Sequence, residues 1–189
     1  MIPTSLHWIL ASGSPRRLAL LRQVGIEPSV IPADIEEIEN GFEPWELVAK
    51  NAAAKADAVE SRVKDGILLA ADTVVVVDGH SLGKPENAED AARMLQLLSG
   101  RAHEVVTGYS LRCPSRQLRV DDIETTIVRM RTLQPWEIEQ YITTGEAFDK
   151  AGAYGIQGAA APFVERIEGC YFNIVGLPLA SILKKVVEW

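Results

Sequence analysis

The run Ile67–Val77 reads ILLAADTVVVV and is the longest strongly apolar stretch of the chain. Such a continuous run of aliphatic and β-branched residues is typical of a strand buried on both faces, since a half-exposed strand alternates apolar and polar residues. The run is also far shorter than the roughly 20 apolar residues of a membrane-spanning helix. It therefore predicts a central strand inside a globular core, and no association with a membrane.

Strands and helices alternate along the rest of the chain, judged from apolar periodicity and from the prolines and glycines that begin or end elements. With one adjacent pair of strands, this alternation predicts an α/β fold, in which helices flank a mixed sheet. No repeat, low-complexity tract or linker interrupts the pattern, so residues 1–189 are expected to form a single domain. Strands are predicted at residues 6–11, 29–32, 67–77, 104–112 and 117–132, and helices at 15–24, 44–59, 88–98, 135–144 and 177–188.

Charge and composition narrow the classes of partner. The formal charge of −7 and the pI near 5.0 argue against a nucleic-acid polymer, which calls for a basic face, but leave a single nucleotide open. The N-terminus has no signal-peptide pattern. Cys113 and Cys170 form neither a metal-binding pattern nor a disulfide framework, so we expect a reducing, cytoplasmic location.

The segment 10–17, LASGSPRR, places small residues and a proline ahead of two arginines. Small residues let backbone N–H groups approach a ligand, Pro15 suits the first position of a helix, and helix N-termini favour anions. These features predict an anion pocket in which Arg16 and Arg17 bind phosphate oxygens. The alternative is a plain turn from strand to helix, with Ser14 as the cap and both arginines in solvent.

Asp72 lies inside the most buried-looking strand of the chain. A buried carboxylate is costly unless it is paired, protonated or bound to a metal. Because such groups cluster at functional sites, Asp72 is a candidate functional residue. A structural salt bridge to a lysine is the alternative.

Two segments resemble known motifs only in part. Residues 79–84 lack the spacing of a Walker A loop and Pro85 replaces its Ser or Thr, although Lys84 can still reach a phosphate from this turn. His103 begins a zinc-protease pattern, but the second histidine is missing and the chain has only 3 histidines. Any metal is therefore expected to be Mg²⁺ or Mn²⁺, held by carboxylates and substrate phosphates. The acidic segment 34–39, DIEEIE, can supply carboxylates, with a solvated loop as the alternative.

The segment 145–158, GEAFDKAGAYGIQG, combines glycines that permit close backbone approach with the polar side chains of Asp149, Lys150 and Gln157. It closely resembles a motif of the Maf family of nucleoside triphosphate pyrophosphatases. Further motifs occur in the order of that family over essentially the whole chain: LASGSPRR, AADTVV, the GKP turn, SGRAHEVVTG and GCYFNIVGLPL. On these motifs the chain is identified as a member of the family.

The resemblance implies a mixed α/β fold with two lobes around a nucleotide cleft, similar to the fold of the inosine triphosphate pyrophosphatases. It also implies hydrolysis of a nucleoside triphosphate to the monophosphate and pyrophosphate, in a house-cleaning and division-related role. The form DKAGAYGIQG is similar to the Maf enzymes that act on dTTP and UTP rather than to those that act on 7-methyl-GTP.

Positions that match the family's motifs have expected roles. Asp72 matches the proton acceptor. Arg17 is grouped with the substrate-binding residues, with bracing of the helix as its alternative role. Two departures concern loop geometry, since Ala53-Ala54 precede Lys55 where the family usually has Arg-Glu, and Ala147 replaces a usual proline. Positions that set substrate choice match Arg16, Thr73 and Gln157, and other cleft positions match Ser12, Glu37, Lys55 and Lys84.

Hydrolysis of a phosphoanhydride requires the charge on the phosphates to be neutralised, so Arg16, Lys55, Lys84 and the divalent cation are expected to form an electrostatic clamp. Glu37 and Asp72 are the expected metal ligands, and Asp72 is also expected to orient and deprotonate water.

Two other functions stay open, a non-catalytic nucleotide-binding regulator of septum formation and a pyrophosphatase for modified or purine nucleotides. A homodimer is expected only because symmetric dimers are common.

Overall fold

The computed structural model describes residues 6–189, so the first residues of the predicted domain 1–189 lie outside the described part. The described chain forms one mixed sheet with flanking helices, which confirms the predicted fold class. The strands are β1 (Trp8–Leu10), β2 (Ser29–Val30), β3 (Ile67–Val77), β4 (His80–Leu82), β5 (Ala102–Cys113), β6 (Leu118–Met130) and β7 (Val164–Glu168). The helices are α1 (Pro15–Gln23), α2 (Pro44–Glu60), α3 (Ala88–Leu98), α4 (Pro135–Thr143), α5 (Tyr171–Val175) and α6 (Leu179–Val187).

The strands follow the order β2-β1-β3-β5-β6-β7, and β4 pairs with β3 beside this path. Strand β1 is parallel to β2 and β3, whereas β4, β5, β6 and β7 join antiparallel neighbours. Every helix within residues 6–189 is too short or too polar to cross a membrane.

Strand β3 changes partners part-way along one of its edges. The pairing with β1 ends where Leu10 lies opposite Leu69, and the pairing with β4 begins where Val75 lies opposite Leu82. On the other edge, β5 pairs with β3 without interruption from Leu68 to Val76. Among the described residues, no strand pairs with residues 70–74 on the first edge, so the sheet is open there.

Neighbouring residues of β3 point to opposite faces of the sheet, as the period of two in a strand requires. Ala70 packs under α2, whereas Ala71 packs against α1 and α6. By the same alternation, Asp72 contacts α2 and Thr73 contacts α1. Both faces of the strand therefore supply polar side chains to the open stretch.

Beyond the open stretch, β3 enters a second part of the core. Val75 and Val77 pack with α3 and α4 rather than with α1 and α6. Each face of the strand thus contributes to one apolar cluster before its polar residues and to another after them. This arrangement agrees with the two lobes that the family resemblance implies.

Helix α2 lies directly on the sheet, and a glycine permits the contact. A Cβ atom at Gly108 in β5 would lie 2.4 Å from the carbonyl oxygen of Val48 in α2. Any side chain at this position would push the helix away from the strand. The close approach places the inner face of α2 over β3 at Asp72.

Of the described strands and α-helices, three are missing from the sequence prediction, which otherwise matches the observed elements closely. Strand β4 follows a turn in which Asp78 and Gly79 have positive φ angles of 51° and 78°. Asp-Gly is a strong hairpin signal, but the partial likeness to a Walker A loop obscured it. Strand β7 is short, polar and at the sheet edge. Helix α5 is separate from α6 because Gly176, at a φ of 115°, ends it in the left-handed region.

Candidate functional site

A cavity of about 840 Å³ opens at the unpaired stretch of β3. This volume lies within the range of small-molecule sites in proteins. The cavity brings together side chains from α1, α2, β3, the turn after β4 and the glycine-rich segment (residues 145–158). All of the predicted site residues line it, namely Ser12, Arg16, Arg17, Glu37, Lys55, Asp72, Thr73, Lys84 and Gln157.

An ion cluster of Glu37, Lys55 and Asp72 occupies one wall of the cavity. The Lys55 ammonium lies 2.8 Å from Asp72 Oδ1 and 2.9 Å from Glu37 Oε1. The side chains of Lys55 and Asp72 are 9% and 11% exposed, whereas that of Glu37 is 53% exposed. The salt bridge that was the alternative for Asp72 is therefore present, but it lies in the cavity wall together with a second carboxylate.

Asn51 completes this wall and was not predicted from the sequence. Its Nδ2 donates to Asp72 Oδ2 at 3.0 Å and to the carbonyl oxygen of Ile38 at 2.9 Å. Its Oδ1 accepts the backbone N–H of Ile38 at 2.9 Å, so one buried amide joins the acidic segment to α2 and β3. The available signal was a polar residue four positions before Lys55 on the apolar face of a predicted helix.

Arg17 is buried beneath the cavity, so the alternative that places both arginines in solvent is wrong for this residue. Its Nε donates to the carbonyl oxygen of Gly176 at 2.9 Å, and its Nη1 and Nη2 donate to Ser12 Oγ and Thr73 Oγ1, each at 3.1 Å. Burial lowers the pKa of Arg17, and the negative charges of Asp72 and Glu37 oppose that shift. Its contacts match the bracing role and reach two predicted site residues.

Ser14 precedes α1 as its cap residue, but its side chain makes no capping hydrogen bond, contrary to the alternative prediction. Its backbone N–H instead donates to Ser12 Oγ at 3.2 Å. The start of α1 thus serves to hold the Ser12 hydroxyl.

Arg16 joins α1 to the glycine-rich segment. Its Nη1 donates to Asp149 Oδ2 at 2.6 Å, and its Nη2 donates to the carbonyl oxygen of Asp149 at 3.3 Å. Burial raises the pKa of Asp149, but hydrogen bonds from Lys150 and Arg16 outweigh this effect and hold the pKa below its ordinary value. Gly155 leaves room for Lys150, because a Cβ there would lie 2.6 Å from Lys150 Cε.

The buried side of the glycine-rich segment is anchored to β5. His103 Nε2 lies 2.7 Å from the hydroxyl oxygen of Tyr154, and both residues are buried. Burial lowers the pKa of His103 to about 4, so the ring is neutral near pH 7. Gln157, three residues after Tyr154, is exposed at the cavity surface. Lys84, in the turn after β4, is exposed there as well.

The cavity is less acidic than the chain as a whole. Five basic and five acidic side chains line it among the described residues, whereas the chain carries a formal charge of −7. Basic groups are thus concentrated where a polyanion would bind. The ten charged residues are Arg16, Arg17, Lys55, Lys84, Lys150, Glu37, Glu39, Asp72, Glu86 and Asp149.

The carboxylates of Glu37 and Asp72 fit the ligand chemistry of Mg²⁺ or Mn²⁺. Within residues 6–189 there is no group of three or more His, Cys, Asp or Glu side chains that could hold a metal without a substrate. Two carboxylates instead converge on the Lys55 ammonium. Mg²⁺ sites often use one or two carboxylates and take their other ligands from water and substrate phosphates.

Comparison with known proteins shows the family. The sequence model described as Maf-like protein matches residues 7–189. The chain belongs to the Maf family. A dTTP/UTP pyrophosphatase of Carboxydothermus hydrogenoformans is 46% identical over 180 residues, which cover 95% of this chain and 97% of the relative. A dTTP/UTP pyrophosphatase of Syntrophomonas wolfei is 48% identical over 177 residues, covering 92% of each chain.

Among solved structures, this Maf protein resembles the Ham1 protein of Staphylococcus aureus. The two are 17% identical, with a TM-score of 0.47, over 66% of this chain and 71% of the other. Similarity at this level supports no conclusion about function.

Replacing Asn51 by Ala tests the amide that joins the site. Asn51→Ala removes the partners of Asp72 Oδ2 and of the Ile38 backbone, so the free energy of unfolding should fall by about 1–3 kcal/mol. Urea unfolding measures the change, and Asn40→Ala, at an exposed position of the cavity rim, should cost less than about 0.5 kcal/mol. Equal stability of both variants and the wild type would contradict the structural role of Asn51.

Proposed function

We propose that this protein hydrolyses dTTP and UTP to the monophosphate and pyrophosphate. The observation that carries the proposal is the ion cluster of Glu37, Lys55 and Asp72 in the wall of a cavity large enough for a nucleotide. Its relatives in the Maf family that carry the name dTTP/UTP pyrophosphatase are similar to it over nearly their whole length.

The basic residues of the cavity suit the charge of a triphosphate. In phosphoryl transfer, negative charge spreads over the phosphoryl oxygens, and groups already in position stabilise it. Lys55 is held by two carboxylates and Arg16 by Asp149, so both are oriented in the absence of substrate. Lys84 is exposed at the cavity surface and makes no ion pair with the described residues. In the proposal, these three residues bind the phosphate chain.

Asp72 is the proposed general base. Lys55 and Asn51 each bind one of its oxygens, which fixes the plane of the carboxylate. Each carboxylate oxygen accepts more than one hydrogen bond, so Asp72 retains capacity to accept a proton from water. Asp72 orients the water and takes its proton, and the ammonium of Lys55 stabilises the charge nearby.

Mg²⁺ or Mn²⁺ is the proposed cofactor, with Glu37 and Asp72 as its protein ligands. When bound, the cation supplies positive charge that neutralises the phosphate oxygens. The side chain of Glu37 is 53% exposed and that of Asp72 is 11% exposed, so the carboxylate of Glu37 is the more accessible of the two.

Gln157 is the proposed reader of the base, together with Arg16 and Thr73, which fix the register of the nucleotide. Its amide offers one donor and one acceptor group, which match the O4 and N3–H of thymine or uracil. Cytosine reverses this pattern.

A cytoplasmic location, a homodimer and the lack of binding to nucleic-acid polymers stay predictions.

A nucleotide panel tests the function and the role of Gln157. Release of pyrophosphate from dTTP and UTP should be fast and from CTP and ATP slow, because the site pairs with the base edge. Gln157→Ala should narrow the ratio of kcat/KM for UTP over CTP by about tenfold or more. Gln140→Ala, on the exposed face of α4, serves as the control and should leave the ratio unchanged.

The outcomes of the panel separate the alternatives. Nucleotide binding without pyrophosphate release would support the regulator, and a preference for purine or modified nucleotides would support the other enzyme. If Gln157→Ala lowered kcat/KM equally for all nucleotides, Gln157 would act in phosphate binding or in the shape of the glycine-rich segment, and not in base selection.

Asp72→Asn tests the general base. The substitution keeps the size of the side chain, and Lys55 keeps its ion pair with Glu37, so the protein should still fold. Turnover of UTP should fall by roughly 10²–10⁴-fold, because the general base is lost. Asp57→Asn is a matched control, since Asp57 is an ion-paired carboxylate on α2 that faces Arg112 and Arg119 outside the cavity. Near-normal turnover of Asp72→Asn would leave Asp72 with a structural role only.

Chelation tests the cofactor. EDTA should abolish turnover, and Mg²⁺ or Mn²⁺ should restore it with no change in the circular dichroism spectrum, because the proposed ligands are two carboxylates of the cavity wall and the substrate phosphates. Glu37→Gln should raise the metal concentration for half-maximal activity by about tenfold or more. Glu36→Gln, from the same acidic segment but outside the cavity lining, should not change it. Full activity after exhaustive chelation would rule out the cation.

A further inference from the structure

Two hydroxyl groups of the cavity share the guanidinium of Arg17. Arg17 Nη1 donates to Ser12 Oγ and Nη2 donates to Thr73 Oγ1, each at 3.1 Å. A hydroxyl can donate one hydrogen bond and accept two. The other partners of each oxygen therefore decide whether it can donate or only accept toward a ligand.

Ser12 retains its hydrogen for a ligand. Its oxygen accepts from Arg17 and from the backbone N–H of Ser14, which uses both acceptor sites. The hydrogen of Ser12 is then available in the cavity, where it suits an acceptor such as a phosphate oxygen.

Thr73 has the opposite polarity, because its oxygen has a second partner opposite it on the neighbouring strand β5. Thr73 Oγ1 lies 2.9 Å from Thr107 Oγ1, and Thr107 Oγ1 lies 3.3 Å from the carbonyl oxygen of Asn173. The carbonyl can only accept, so Thr107 donates to it. The hydrogen between the two threonines must then come from Thr73.

The reverse arrangement makes fewer hydrogen bonds. If Thr107 donated to Thr73, its bond to Asn173 would be lost, and only one of the two contacts would be a hydrogen bond. Thr107 is fully buried, where each unmade bond is costly. The chain Thr73 to Thr107 to Asn173 is therefore the arrangement that satisfies both contacts.

We infer that Thr107 is a positioning residue, which together with Arg17 makes the Thr73 hydroxyl an acceptor for a hydrogen-bond donor of the nucleotide. This inference rests on the proposed function. Outside the phosphates, dTTP and UTP share two such donors, the 3′-hydroxyl of the sugar and the N3–H of the base; the 2′-hydroxyl occurs in UTP alone. Because Gln157 is proposed to pair with the base edge, the 3′-hydroxyl is the favoured donor.

Substituting Thr107 tests the inference without touching the cavity. Thr107→Val keeps the shape but removes the acceptor for the Thr73 hydrogen, so kcat/KM for UTP should fall about three- to tenfold, mainly through KM. Thr107→Ser keeps the hydroxyl and should retain wild-type values. With 3′-deoxy-UTP, which lacks the favoured donor, the wild type and Thr107→Val should be equal. If instead the wild type and Thr107→Val have equal kcat/KM with CTP, which lacks the N3–H, then the N3–H is the donor.

Several results would overturn the inference. They are an unchanged kcat/KM for UTP in Thr107→Val, an equal loss on UTP, CTP and 3′-deoxy-UTP, and a Thr107→Ser variant as impaired as Thr107→Val. Failure of the wild type to hydrolyse UTP would instead remove the proposed function, and the inference with it.

A double-mutant cycle adds a second measurement. Thr73→Val removes the acceptor itself, so adding Thr107→Val in that background should not lower kcat/KM for UTP further. Should Thr107→Val fail to fold, Thr107→Cys replaces it in both experiments, because a thiol is a weak hydrogen-bond partner of similar size. Additive effects of the two substitutions would contradict the inference.

Discussion

The ion pair between Lys55 and Asp72 fixes the position of helix α2 over strand β3 in the sheet. Both charges are almost completely withdrawn from water, and a buried charge is tolerated only when a partner and further hydrogen bonds compensate for lost hydration. Glu37 and Asn51 supply those further bonds. The requirement holds α2 over β3, and the close approach at Gly108 makes that position sterically possible. The same groups that satisfy the buried charges form the wall of the cavity.

The break in strand pairing explains how one strand serves a site from both faces. Strand β3 exchanges β1 for β4 on one edge, while its ladder with β5 continues through the break on the other. Asp72 and Thr73 are adjacent in the chain but face different layers, one toward α2 and the other toward α1. The carboxylate wall and the hydroxyl groups around Arg17 are therefore separate polar networks that meet at the open edge.

These networks also explain how an acidic protein can bind a polyanion. The net charge of −7 is a property of the whole surface, whereas the cavity gathers equal numbers of basic and acidic groups. Most of its cations are already paired, with Arg16 bound to Asp149 and Lys55 to two carboxylates. A divalent cation at the carboxylates would shift this balance toward positive charge when the substrate binds, which is the physical reason to expect one.

The sequence by itself determined the elements with strong local signals, the family and most of the site. The apolar run of β3, the helix-opening prolines and the ordered motifs are local patterns, and the residues that they indicated all line one cavity. The tertiary structure alone decided the burial of Arg17, the bridging role of Asn51 and the polarity of the Ser12 and Thr73 hydroxyls. Arg17 and Gly176 are 159 positions apart, and Thr107 and Asn173 are 66 apart. A hydrogen bond depends on the position and direction of both partners, and for residues so distant in the chain only the packing of the sheet and helices sets them.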